Sequence, residues 1–257
     1  RQALNYELYG MQFGANGAPT SRLYDAIIDS SLLSEAEREV MRSRMAYFVY
    51  RLTDPAVWSA ERGYASGNQN MTVTWEISRG LAACAIPTHP MAEEWYGKAE
   101  RIMDYFLNHM VGPAGEWPEA MGGHGRTSVN MIIAFAIAST NSGLHDYLSD
   151  PRVKRLAMYW AKMQTPPDPR PRGHASFAEP GQRYFPAMGR DPISNAGGTC
   201  GVMARASREI DPDYSSALQW AWLEEGGVTD FNHLGGFSYV ACDRQLPATT
   251  PEWTSEV

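Results

Sequence analysis

Trp117, Glu119, His124 and Arg126 fall within ten residues of one another, in the stretch GPAGEWPEAMGGHGR over Gly112–Arg126. An indole can stack on a sugar ring and a carboxylate can accept a proton. An imidazole moves a proton near neutral pH, and a guanidinium pairs with an anion. Glycines around them let a backbone approach a ligand closely. The stretch joins two helical runs, and site residues concentrate on loops held at both ends by rigid elements. The plain alternative is a helix–helix connection in which Trp117 plugs the core and the charged groups are solvated. Two further stretches of similar character weigh against it.

The first of these is Arg62–Asn70, RGYASGNQN, which places Asn68 and Asn70 just ahead of a helical run. Asn there is either an amide aimed at a ligand or a helix N-cap. The second is Thr165–Pro192, TPPDPRPRGHASFAEPGQRYFPAMGRDP. A connection of that length is functional or disordered, and its aromatics argue against disorder. It carries Arg170, Arg172, Arg183 and Arg190 against Asp168, Glu179 and Asp191, with His174 and Tyr184 among them.

Helices must position these stretches. Ser34 followed by Glu37 is a capping box that opens a helix over Glu35–Leu52. Its apolar positions Val40, Met41, Met45, Phe48, Val49 and Leu52 recur at helical spacing, so one face is buried. Further helices are predicted over Met71–Ile86 and from Pro90 to about Val111. Ser128–Ser139 is almost wholly apolar and belongs on an inner layer. Arg152–Met163, Ala196–Ile210 and Asp213–Glu225 complete the series. From Val228 to Val257 the pattern turns to glycine, aromatics and short β-type runs such as Phe237–Ala241. The fold class is therefore all-α, with antiparallel helix pairs and functional loops gathered at one end. Stacked pairs of this kind form a solenoid or curl into a toroid with a cleft.

Composition narrows the partners. The chain has 257 residues, 44% apolar and 20% charged, as in an ordinary globular protein. Its net charge of −7 argues against nucleic acid as the main partner. An anionic polymer stays open, because a local basic patch can sit on an acidic protein. No apolar run approaches the roughly 20 residues of a membrane span. Cys84, Cys200 and Cys242 are widely spaced and without CxxC, so neither a disulfide framework nor a cysteine metal site is expected. The chain starts at Arg1 without a signal-peptide pattern and stops at PEWTSEV, and we expect a piece of a longer protein.

Three segments together resemble the helical domain of heparinase II/III-like polysaccharide lyases. They are GNQNMTVTWEISRGLAA (Gly67–Ala83), GEWPEAMGGHGR (Gly115–Arg126) and MQTPPDPRPRGHASFAEPGQRYFPAMG (Met163–Gly189), the last preceded by HDYLSDPRVK (His145–Lys154). The likeness covers roughly Arg62 to Cys242. It implies an incomplete α/α toroid over residues 1–242, then a linker over 243–257 toward a β-sheet domain. It also implies a secreted or periplasmic protein acting on an anionic, uronic-acid-containing polysaccharide.

The implied reaction is β-elimination. The proton on C5 of a uronate is a very weak acid, so a donor must hold the sugar carboxylate and stabilise the charge that develops on it. A His or Tyr removes the proton, and a Tyr or His protonates the leaving oxygen. No cofactor is needed for this chemistry; a structural metal in the further domain stays open. By the resemblance, Asn68 holds the carboxylate, with Asn70 beside it as a substrate contact. Trp117–Pro118–Glu119 matches a W-P-E run in which the Glu shapes the site. The family commonly has a Tyr shortly after that Glu. Here Gly122, Gly123 and His124 stand instead, so base and acid are shared among His124, His174 and Tyr184. Arg126, Arg172 and Arg183 are candidate contacts to substrate carboxylates or sulfates.

Two other classes remain in view. A glycoside hydrolase on the same scaffold needs two carboxylates flanking a bond. Glu119 is one candidate, while Asp54, Asp168 and Asp230 each have an ordinary turn explanation. A non-catalytic glycan-binding module would use Trp and Arg and react with nothing.

Overall fold

The computed structural model describes residues 21, 23–53, 69–121, 123–167, 169, 180–186, 198–227 and 241–252. Among them are seven long helices, and no β-strand is formed. They are α1 (Glu35–Thr53), α2 (Gln69–Ala85), α3 (Ala92–His109), α4 (His124–Asn141), α5 (Pro151–Lys162), α6 (Thr199–Ser207) and α7 (Pro212–Glu224). The all-helical expectation is met. The β-type run at Phe237–Ala241 lies, except for Ala241, outside the described residues. The chain divides into two compact units, Arg1–Phe106 and Leu107–Val257.

In the first unit the predicted capping box forms. The Ser34 N–H and hydroxyl both donate to Glu37 Oε2, at 2.8 and 2.7 Å, and the Glu37 N–H donates back to Ser34 Oγ at 3.3 Å. Helix α1 packs on α2. Met45, Ala46 and Val49 meet Ala82, Ala83, Ile86 and Trp95 in one apolar cluster. Val40, assigned to the buried face from its spacing, is half exposed. Met41, Met45 and Val49 follow the i, i+4 row that faces α2, and Val40 falls on its edge. Helix α2 is buried on nearly every side from Met71 to Ala83. It keeps an ion pair inside, Arg79 Nη1 to Glu76 Oε2 at 2.7 Å, one helical turn apart.

In the second unit α4 is the enclosed element. Every residue from Ser128 to Ile137 is buried, with Ile132, Phe135 and Ala136 at 0% exposure. A helix apolar all round must be covered all round, and the neighbours in contact with it include α5 and α6. Helix α6 packs mainly on α7, and both also touch α5. Small residues in α6 make the close approach to α7: a Cβ on Gly201 would sit 2.7 Å from the Trp222 ring. Two of this unit's helices start at aspartates. Asp150 caps α5 by accepting from Arg152 N, and Asp211 caps α7 by accepting from Tyr214 N, each followed by a proline at the first helical position. Lys154 on α5 reaches Asp211 at 2.8 Å and so ties one helix to the cap of another.

Candidate functional site

The stretch Gly112–Arg126 is built in two parts. The first is a tight turn. Gly112 N–H donates to Glu116 C=O at 2.9 Å, and Ala114 N–H donates to Glu116 Oε2 at 2.9 Å. Gly115 has φ +96, and a Cβ there would lie 2.1 Å from the carbonyl oxygen of Arg155. This glycine exists because the turn is pressed onto the backbone of α5. Room for a ligand, which the sequence suggested, is not what it provides.

The second part holds the chemistry-bearing side chains. Trp117 is only 7% exposed, and its indole N–H donates to Glu119 Oε2 at 2.7 Å. It offers no open face for a sugar ring; it anchors the carboxylate. Ser128 Oγ lies 2.7 Å from the same Oε2 and 3.1 Å from the carbonyl of His124. It has one proton to give, and the shorter contact to the carboxyl oxygen takes it. Glu119 is thereby fixed from the loop side by Trp117 and from the helix side by Ser128.

His124 is the first residue of α4, and its side chain is exposed. The helix was expected to begin at Ser128, which left His124 and Arg126 in a loop. It begins a full turn earlier. Glycine at 123 and 125 lowers helix propensity and hides that start from a sequence reading. Gly125 is required nonetheless, since a Cβ would come within 2.8 Å of Ala120 O and 2.9 Å of Glu119 O. The backbone of Glu119–Ala120 is laid across the first turn of α4, and Gly125 N–H donates to Ala120 O at 2.9 Å. Arg126 is half-buried on that turn, two residues on from His124 and so on a different face.

Arg183 and Tyr184 have their own supports. Arg183 Nε meets Glu224 Oε2 at 3.2 Å, and its guanidinium lies 4.9 Å from the Trp220 ring centre. Its backbone N–H donates to Glu224 O, and Thr165 N–H donates to Tyr184 O at 2.8 Å. Tyr184 is buried at 7% exposure. The next residue, Phe185, packs edge-on to Trp160 of α5 at 5.0 Å. The turn at Gly115 and the segment at Phe185 are thus both seated on α5. Their seats, Arg155 and Trp160, are separated by little more than one turn, roughly 7 Å of helix rise.

Asn68, His174 and Arg172 lie outside the described residues, as do Asp54, Asp168 and Asp230, the second carboxylates of the hydrolase alternative. Asn70 belongs to the first unit. It was expected just before its helix, but α2 begins at Gln69, so Asn70 stands in the first turn, where its carbonyl accepts from Thr74 Oγ1 at 2.6 Å. Ser128 is a partner in the site that sequence reasoning passed over. Its spacing of four from His124 was the available signal, but it reads as one small residue in an apolar helix. Among the described residues no group of three or more His, Cys, Asp or Glu side chains is arranged to hold a metal ion. No helix among them is long and apolar enough to cross a membrane.

No protein-family model, curated protein or solved structure matches this chain. The likeness to heparinase II/III-like lyases rests on the quoted segments alone.

Proposed function

We propose that the protein is a polysaccharide lyase that cleaves a uronic-acid-containing polymer by β-elimination, with His124 as the proton-transfer group of the described site. The observation that carries this reading is an exposed histidine at the first residue of α4, the helix whose Ser128 holds the Glu119 carboxyl together with Trp117. A base must meet C5 of the sugar ring from solvent, and an exposed histidine on a firm helix end can do so. The clamp on Glu119 fixes the loop edge to α4. In this reading Arg126 and Arg172 contact acidic groups along the polymer. Arg183, already held by Glu224 and Trp220, positions the Tyr184 segment.

The test is incubation of the full chain with a panel of uronate polymers. A lyase leaves an unsaturated sugar that absorbs ultraviolet light. A hydrolase raises reducing ends without that absorbance, and a binding module does neither. Absorbance is expected to rise with at least one polymer, and its absence across the panel overturns the proposal. His124→Ala is expected to lower turnover by roughly 100-fold or more, the scale of losing a general base, with polymer binding kept. Near-normal turnover in that variant moves the base to His174 or Tyr184.

A further inference from the structure

Helix α1 in the first unit has a second apolar face, turned to solvent. Its inner face, with Met45, Ala46 and Val49, is buried in the cluster shared with α2. On the opposite side Ala36, Val40, Ser43, Tyr47 and Tyr50 are all exposed. Their spacing of four, three, four and three residues is that of a heptad seam, which runs along one line of a helix. Val40, Tyr47 and Tyr50 are 50%, 51% and 46% exposed, where an ordinary surface helix carries polar residues. Glu37 and Arg44, seven residues apart, stand on one flank of the seam and are exposed. Glu37 accepts from the Ser34 N–H and hydroxyl on one carboxyl oxygen. Among the described residues neither Glu37 nor Arg44 makes an ion pair. The neighbouring charges of α1 are paired within the helix, Glu35 with Arg38 and Arg42, and Glu39 with Arg42.

We propose that this face is covered by α1 of a second copy of the chain, packed antiparallel across a two-fold axis. The seam complements itself in that sense. With Val40 set against Ser43 of the second copy, Ala36 falls against its Tyr47, so that a small residue meets a large one. A two-fold interface brings the same flank of both helices together. Glu37 of each copy then lies within about 3 Å of helix rise of Arg44 of the other. The two charges without an ion pair in one chain are thereby paired twice in the dimer. A parallel pair in register sets Tyr47 on Tyr47 and Ser43 on Ser43, and brings no cation to Glu37.

A seam this short buries little area, below about 1,200 Å2, so the association is weak. The test is sedimentation velocity on the full chain from about 1 to 300 μM, a range that brackets weak interfaces. The parent is expected to pass from monomer to dimer across it. Tyr47→Lys is expected to stay monomeric throughout. Tyr47 is half exposed, so this variant is expected to fold, and an unchanged circular dichroism spectrum checks it. Arg44→Glu should weaken dimerisation roughly tenfold, because two attractive pairs become two repulsive ones. Glu37→Gln keeps the capping box. It should weaken the parent's dimer about threefold yet strengthen that of Arg44→Glu, the change of sign that direct contact requires. A parent that stays monomeric at the highest concentration overturns the proposal and leaves the face to a different occupant. Dimerisation that survives Tyr47→Lys overturns the α1 seam. Glu37→Gln acting alike in both backgrounds overturns the antiparallel register.

Discussion

Single residues in this protein answer to backbone proximity as much as to chemistry. Gly125→Ala puts a methyl against two carbonyl oxygens, and the expected cost is about 1–3 kcal/mol in urea unfolding, the usual range for overpacking. A cost near zero would show that the Glu119–Ala120 backbone is free to move off α4. Cys242 offers a second check. Burial, partly opposed by Arg205 and Arg244, pushes its thiol up to about 12, and burial likewise raises Cys200 well above an ordinary thiol. The thiolate is the nucleophile, so iodoacetamide at neutral pH should leave both unmodified in the folded chain and label them in denaturant. Fast labelling of Cys242 in native conditions would contradict its described surroundings. At this scale the sequence was half legible. The residue types around Trp117–Glu119 and His124 stand out by composition. Their division of labour does not, because the burial of Trp117 and the reach of Ser128 depend on how a loop lies across a helix.

Helices were the most legible level, since apolar period and caps are local. The Ser34–Glu37 box and the apolar run of α4 were plain in the sequence. The starts of α2 and α4 were misplaced by two and four residues, in both cases where polar or glycine residues occupy the first turn. The aspartate caps give this scale its prediction. The Asp211 carboxyl is held below the usual value chiefly by the hydrogen bond from Lys154, with the Tyr214 N–H adding to it. For Asp150, burial pushes upward, but the hydrogen bonds from Arg152 outweigh it and the net direction is down. A depressed carboxyl binds its proton less tightly in the folded chain than in the unfolded one. The stability it contributes is complete above the unfolded value, about 4, and fades as pH falls through the folded value. Asp211→Asn keeps a capping side chain and loses the pairing with Lys154, so its urea midpoint should converge on that of the parent as pH is lowered. Asp211→Ala should cost about 1 kcal/mol at neutral pH through the lost cap. A parallel pH dependence in parent and Asp211→Asn would remove Asp211 from the acid transition.

For the molecule as a whole, helical character followed from composition and period, while the division at Phe106–Leu107 did not. That boundary falls in the last turn of α3, with no glycine, proline or polar run to announce it. The second unit depends on large side chains with no exposure to give up: Phe135, Trp160, Phe185 and Trp222 are all 2% exposed or less. Trp160→Ala removes the seat of Phe185 and should cost about 3–5 kcal/mol.

The enclosure of α4 has a consequence for time rather than energy. A segment covered on all sides surrenders its amide hydrogens to solvent only when the surrounding unit opens. Hydrogen exchange should therefore find residues near Ile132 among the slowest in the chain. The imidazole at the near end is fastened to that slow segment, and its placement should persist for as long as the unit stays shut.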